Sequence, residues 1–185
     1  MKVTYLFGNT GTHKSTYARY ITDSSQGVIL DDDALYYAIS NNKWDLYFKE
    51  NIGYAVTDMI DEMIKALWMR RYTGTVTVSS LIYPVDHFLA TTNRSEIQSY
   101  VVVTGNGDKK ASMEHRKTTD RNHAMSEWES VYDAHVEDIK DTIKSKFIEK
   151  HIGKSHVLHL TNPLDLVNSK IELDAFMEVN GYALT

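Results

Sequence analysis

The chain has 185 residues, of which 42% are hydrophobic and 24% charged, the balance of an ordinary folded globule and not of a disordered or fibrous chain. It contains no cysteine, which excludes disulfides, thiolate metal sites and cysteine nucleophiles and fits a reducing cytoplasm. Its net charge is −5, so affinity for phosphates must come from a local patch and not from a general basic coat.

Lys2 to Phe7 is a short β-branched and aromatic run ending at Gly8, which predicts a buried strand. From Lys14 to about Thr22 the pattern turns helical. Gly27-Val28-Ile29-Leu30 predicts a second strand, stopped by Asp31-Asp32-Asp33. Between about Asn51 and Tyr72, the residues Ile52, Val56, Met59, Ile60, Met63, Leu67 and Trp68 recur at helical spacing. Thr75 to Val78 follows Gly74 as a third strand. Pro84 is placed to open a short helix. Tyr100 to Val103 is a fourth strand. Met125, Trp128, Val131, Tyr132, Val136, Ile139, Ile143 and Phe147 predict a long amphipathic helix. His156 to Leu160 is a fifth strand, with a terminal helix from Leu164 onward.

Short apolar strands alternating with helices predict an α/β fold, a parallel sheet with helices on both faces. Two prolines, nine glycines and the lack of any linker or repeat predict one domain spanning 1–185. No apolar run approaches the roughly 18–20 residues that span a bilayer. The first residues, Met1 to Gly8, are too short an apolar stretch for a signal peptide. The reading is a cytoplasmic, soluble chain without a membrane partner. In such a sheet ligands sit beyond the carboxyl ends of the strands, which directs attention to Gly8–Thr16, Asp31–Asp33, Ser79-Ser80 and Thr104.

The first of these is Gly8-Asn9-Thr10-Gly11-Thr12-His13-Lys14-Ser15-Thr16. The phosphate-binding pattern is G-x-x-x-x-G-K-[ST]. Gly8, Lys14 and Ser15 match it, and His13 stands where the second glycine belongs. Histidine is among the few non-glycine types enriched at left-handed backbone angles, so it can keep the loop's shape. In such a loop the backbone N–H groups cradle a β-phosphate and the following helix presents its positive end. Lys14 would reach the β- and γ-phosphates of ATP, and the Ser15 hydroxyl would hold Mg²⁺. Of Asp31, Asp32 and Asp33, one would accept the proton of an attacking hydroxyl while another supports the metal.

Gly8-x-x-Gly11-x-x-Lys14-Ser15-Thr16, followed by Gly27 through Asp33-Ala34-Leu35, resembles the P-loop kinases of the polynucleotide 5′-kinase and zeta-toxin group. The resemblance implies a three-layer P-loop NTPase fold. Its five-stranded parallel sheet has the order 2-3-1-4-5, and an arginine-bearing lid lies at about 105–123. The resemblance places Asp33 on the general base, and Asp31 is read as the carboxylate beside Ser15 at the metal. The group's arginine after the base is missing here, where Ala34-Leu35-Tyr36 stands, which points to a different acceptor. Ser79-Ser80 occupies a segment where an acidic residue is usual. Lys109, Lys110, Arg116, Lys117 and Arg121 face only Glu114 and Asp120, a local charge of +3, and Arg116 and Arg121 fall on the lid arginines. Guanidinium groups grip phosphate oxygens bidentately.

The resemblance implies an ATP- and Mg²⁺-dependent kinase acting on a hydroxyl of a nucleotide or nucleic acid. A polynucleotide 5′-OH or a 5-hydroxymethylpyrimidine in DNA would be such an acceptor, the latter a DNA-modification role in a phage-infected bacterium. Three alternatives stay open: a nucleoside monophosphate kinase, a toxin-like kinase of sugar nucleotides, and a nucleotide-binding module without catalysis. The eight histidines show no paired metal-ligand spacing. His115 and His123 bracket the lid arginines, and no partner histidine lies near His13 in sequence. The aromatic set Tyr36, Tyr37, Trp44, Tyr47 and Phe48 reads as core, with base stacking as the functional alternative.

Overall fold

The computed structural model describes residues 1–40, 52–80, 94–119 and 124–183. In chain order the elements are β1 (Lys2–Gly8), α1 (Lys14–Ser24), β2 (Val28–Asp31), α2 (Asp32–Ser40), α3 (Ile52–Met69) and β3 (Thr75–Ser79). These are followed by β4 (Gln98–Gly105), α4 (Lys109–Thr119), α5 (Met125–Lys144), α6 (Phe147–Ile152), β5 (Val157–His159) and α7 (Leu166–Val179). Pro84 and its predicted helix, with Trp44, Tyr47, Phe48, Arg121 and His123, lie outside the described residues.

The five strands form one sheet in the order β2-β3-β1-β4-β5, and every neighbouring pair is parallel. This is the predicted order. Alternation along the strands feeds two cores. Val3 and Tyr5 of β1 join Val76, Val78, Val101 and Val103 under Ile60 and Ile64 of α3 and Trp128 and Tyr132 of α5. On the opposite face Leu6, Tyr100 and Val102 pack beneath Tyr17 and Ile21 of α1 and Leu173 and Met177 of α7. Each fully buried side chain of this size contributes about 1.5–3 kcal/mol by leaving water, so both layers are held independently of any ligand.

Local signals set the helix ends. At the end of α1 the N–H and hydroxyl of Ser25 both donate to the Ile21 carbonyl, at 3.0 and 2.6 Å. Gln26 then turns left-handed (φ 48°), and the Gly27 N–H returns to the Thr22 carbonyl at 2.9 Å. A Cβ on Gly27 would sit 2.5 Å from the Thr75 carbonyl oxygen, so only glycine lets β2 enter beside β3. At α7 the Asp165 carboxylate accepts the Asn168 N–H at 3.1 Å, a cap typically worth about 1 kcal/mol.

One segment differs from the sequence reading. The long helix breaks after Lys144: Ser145 and the left-handed Lys146 (φ 52°) intervene before α6, so Phe147 starts a new helix. The expected lid region contains a helix, α4. Asp108 starts it, accepting the Ala111 N–H on its carboxylate at 2.9 Å and the Ser112 N–H on its carbonyl at 2.9 Å.

Parallel pairing brings the strand ends to one edge. Asp31 is in register with Ser79, and Ser79 with Leu6; Gly8 is opposite Gly105 across a register shift. The residues that follow these ends are therefore neighbours in space.

Candidate active site

The loop from Gly8 to His13 leaves β1 and turns into α1. Gly8 is required by close approach: a Cβ there would meet the Thr104 hydroxyl at 2.1 Å and the Gly105 carbonyl oxygen at 2.7 Å. Asn9 organises the next turn with nearly all its polar atoms. Its N–H donates to the Gly105 carbonyl at 2.7 Å. Its side-chain amide donates to Asn106 Oδ1 and to the Tyr132 carbonyl, both at 2.9 Å, and its Oδ1 accepts the Thr10 N–H at 2.7 Å. Its carbonyl accepts the Thr12 hydroxyl at 2.7 Å and the Lys14 ammonium at 2.6 Å. Asn106 also donates to the Val136 carbonyl at 3.1 Å. The loop is thereby tied to β4 and to α5.

His13 takes φ 61° and ψ 18° at the start of α1. The left-handed geometry anticipated from its residue type is present, at a cost of about 1–3 kcal/mol. Among the described residues, the backbone N–H groups from Gly11 to Thr16 have no acceptor. Unpaired backbone donors at a helix start are an anion site in waiting. Within them lies Lys14, almost entirely buried. Burial, then the positive charge of Arg116, pushes its pKa down to about 8 against the opposing pull of Asp32, Asp33 and Asp31. A buried cation ringed by unpaired N–H donors fits a polyphosphate tail.

The three aspartates divide between two elements. Asp31 ends β2 and accepts the Ala34 N–H at 3.2 Å. Asp32 and Asp33 open α2, where the helix dipole favours negative charge. Asp32 is buried and accepts the Ser80 hydroxyl at 2.7 Å. Asp33 is only partly buried. Carboxylate oxygens of all three lie within 4.8 Å of one another. The Ser15 hydroxyl meets that of Ser79 at 3.2 Å, and Ser79 is the strand partner of Asp31. Hard oxygen donors so grouped suit Mg²⁺, which takes one or two carboxylates and keeps several waters.

From the other side α4 lies on the loop. Arg116 Nε donates to the Thr10 hydroxyl at 2.8 Å, and its guanidinium stands 4.1 Å from the centre of the Trp128 ring. The structure thus brings Lys14, Ser15, the three aspartates and Arg116 to one edge of the sheet.

Sequence reasoning missed two participants, Asn106 and His135, and placed a third, His115, only beside the lid arginines. Asn106 holds Asn9, yet nothing in Gly105-Asn106-Gly107 marks it beyond a turn. His115 stacks on His13, with ring centres 3.8 Å apart, although 102 positions separate them in the numbering; the search for a partner histidine in nearby sequence could not find it. Burial, then His13, then Arg116 lowers the His115 pKa to about 4. His135 of α5 has its pKa lowered by burial, with Asp138 opposing and Lys14 adding to the shift, so it too borders the site.

No family model and no curated protein matches the chain. Solved structures do share its fold. One is shikimate kinase from Acinetobacter baumannii in complex with shikimate, at 12% identity and TM-score 0.57, covering 99% of this chain and 95% of that one. Another is a gluconokinase from Sinorhizobium meliloti 1021, at 13% identity and TM-score 0.60, covering 97% of this chain and 95% of that one. A third is deoxyadenosine kinase from M. mycoides with products dCMP and a flexible dCDP bound, at 13% identity and TM-score 0.52, covering 97% and 98%. The sheet order, the helical layers and these likenesses agree that the chain has the fold of the P-loop kinases.

Proposed function

We propose that this protein is an ATP-dependent kinase that transfers the γ-phosphoryl group to a hydroxyl acceptor. The observation that carries the reading is the run of acceptor-less N–H groups from Gly11 to Thr16 around the buried Lys14. Gly8, Asn9, Thr10, Gly11, Thr12 and His13 shape this phosphate loop, and its amides and Lys14 hold the β- and γ-phosphates. Ser15 and Asp31 would hold Mg²⁺, which when bound neutralises charge on the phosphate oxygens. Thr16 continues the cradle into α1.

Phosphoryl transfer places little covalent demand on the protein and relies on positioning and charge. Asp32 accepts the Ser80 hydroxyl, and its charge acts on Lys14. Asp31 is spoken for by the α2 N-terminus and by its place beside Ser79. Asp33, partly buried in the first turn of α2, takes the acceptor's proton. Arg116, and Arg121 from outside the described residues, grip the transferring group's oxygens. Arg116 reaches the loop already through Thr10, and the Trp128 face holds its guanidinium there.

For the acceptor we propose a hydroxyl on a nucleotide or nucleic acid. The motif resemblance supports it, and the neighbours are named for shikimate, gluconate and deoxyadenosine, all hydroxyl-bearing molecules. The test is phosphoryl transfer from labelled Mg·ATP to a panel of acceptors. The panel holds polynucleotide 5′-ends, hydroxymethylated DNA, nucleosides, small polyols and nucleoside monophosphates. A hydroxyl acceptor is phosphorylated by the wild type, and Asp33→Asn lowers turnover by about a hundredfold or more. Phosphorylation of a nucleoside monophosphate with Asp33→Asn nearly intact selects the phosphate-acceptor alternative. Tight ATP binding with no transfer to any acceptor leaves a binding module and defeats the kinase reading.

A further inference from the structure

Position 13 is where the chain leaves the phosphate-loop pattern, and the structure shows what the departure requires. A glycine would adopt the left-handed geometry without penalty; His13, at φ 61°, needs surroundings that hold it there. Its carbonyl accepts the Tyr17 N–H at 3.0 Å, but its side chain adds no hydrogen bond among the described residues. Its Nδ1 is buried without a partner among the described residues, and its side chain makes no capping bond to α1. Tyr17, one turn along α1, makes a more distant, tilted ring contact, with ring centres 6.2 Å apart.

The group that does face the His13 ring is His115, at 3.8 Å between centres and 39° between planes. It projects from α4, which meets the loop at three places in succession. Arg116 donates to Thr10 at 2.8 Å. Gly11 backs onto the helix so closely that a Cβ would lie 2.5 Å from the Ser112 carbonyl oxygen. His115 covers His13. The loop and α4 therefore form one packed unit, and the imidazole pair is the only one of the three contacts that acts on the strained residue.

We propose that His115 is a positioning residue for the phosphate loop: by stacking on His13 it holds the left-handed turn that a glycine would adopt unaided, so that nucleotide affinity depends on α4 remaining seated. The proposal rests on the phosphate-binding reading above. It makes a further statement, that the cost of histidine in the loop is met by a residue of the helix that carries Arg116. Nucleotide grip and placement of that arginine are then coupled through one contact.

The test is the dissociation constant of Mg·ATP, by calorimetry on the full chain, for the wild type, His115→Ala, His115→Phe, His13→Gly and the double variant His13→Gly/His115→Ala. Losing one aromatic contact weakens binding by roughly three- to tenfold in His115→Ala. His115→Phe, which keeps a flat ring without an imidazole's charge or hydrogen bonds, stays within about twofold of the wild type. In the His13→Gly background, His115→Ala changes affinity by less than about twofold, because glycine needs no clamp. A merely structural role for His115 would lower affinity equally in both backgrounds, and that result overturns the proposal, as does equal affinity of the wild type and His115→Ala. A wild type that binds no nucleotide overturns the phosphate-binding reading itself, an outcome distinct from binding that is indifferent to position 115.

Discussion

Lys14 is a cation that the fold keeps nearly out of water, and its neighbours explain how that is tolerated. An unpaired buried charge costs several kcal/mol, yet Lys14 donates to the Asn9 carbonyl at 2.6 Å and sits in the field of Asp32, Asp33 and Asp31. Arg116 pushes the other way. Two cations thus act on each other at the loop, an arrangement that an incoming polyanion would relieve. His115 is the opposite case, a base held neutral. Burial, His13 and Arg116 lower its pKa to about 4 from the model-peptide value of 6.5. Between those values the unfolded chain binds a proton at this residue and the folded chain does not. Its contribution to stability is therefore complete above about pH 6.5 and is lost progressively as the pH falls towards 4. Urea unfolding at pH 7 and at pH 4.5 checks this: the loss of stability on acidification is smaller in His115→Phe than in the wild type. An equal loss in both would show that His115 is not a source of the acid sensitivity.

At Gly11 the contact between α4 and the loop is one of backbone against backbone. Gly11 adopts φ 74°, and a side chain there would press on the Ser112 carbonyl oxygen at 2.5 Å and its carbon at 2.9 Å. Neither the helix backbone nor the loop, held by Asn9, has room to give. Gly11→Ala combines left-handed strain with a clash, and we expect it to destabilise the fold by about 2–4 kcal/mol, read as a lower urea midpoint at an unchanged slope. A shift below about 0.5 kcal/mol would mean that α4 does not rest on the loop in solution. At β2 and β3 the same economy of elements works through register. Asp31 is in register with Ser79, and the Ser79 hydroxyl meets that of Ser15, so pairing of β2 with β3 sets Asp31 one strand away from the serine pair.

Across the whole molecule, two helical layers with separate cores clamp the sheet, and the site is left at the edge where the strands end. Among the described residues no helix is long and apolar enough to cross a membrane. Because the site is assembled from β1, β2, β3, α1, α2, α4 and α5, a ligand that bridges them should stabilise the native state as a unit. Mg·ATP at a hundredfold excess over its dissociation constant adds about 2.7 kcal/mol. For a chain of this length that corresponds to a rise in Tm of roughly 5–10 °C. Lys14→Met should lose most of this rise, and thermal melts with and without nucleotide measure it. An undiminished rise in Lys14→Met would place the nucleotide elsewhere on the protein.

Local sequence was enough for the strands, for α1 and for the loop between Gly8 and Ser15. Alternation of apolar residues, glycine at close approaches and a lysine-serine pair at a helix start act over a few neighbouring positions. The left-handed His13 was legible for the same reason, since backbone preference is a property of one residue and its neighbours. The break at Ser145 and Lys146 was hidden because the apolar spacing runs on through it, while the turn depends on one backbone angle. Asn106, His115 and the Trp128 face under Arg116 were decided by the tertiary fold alone. They meet the loop only after β4 has paired beside β1 and α4 and α5 have packed back over the strand ends. Contacts between residues about a hundred positions apart leave no periodic trace in a single chain.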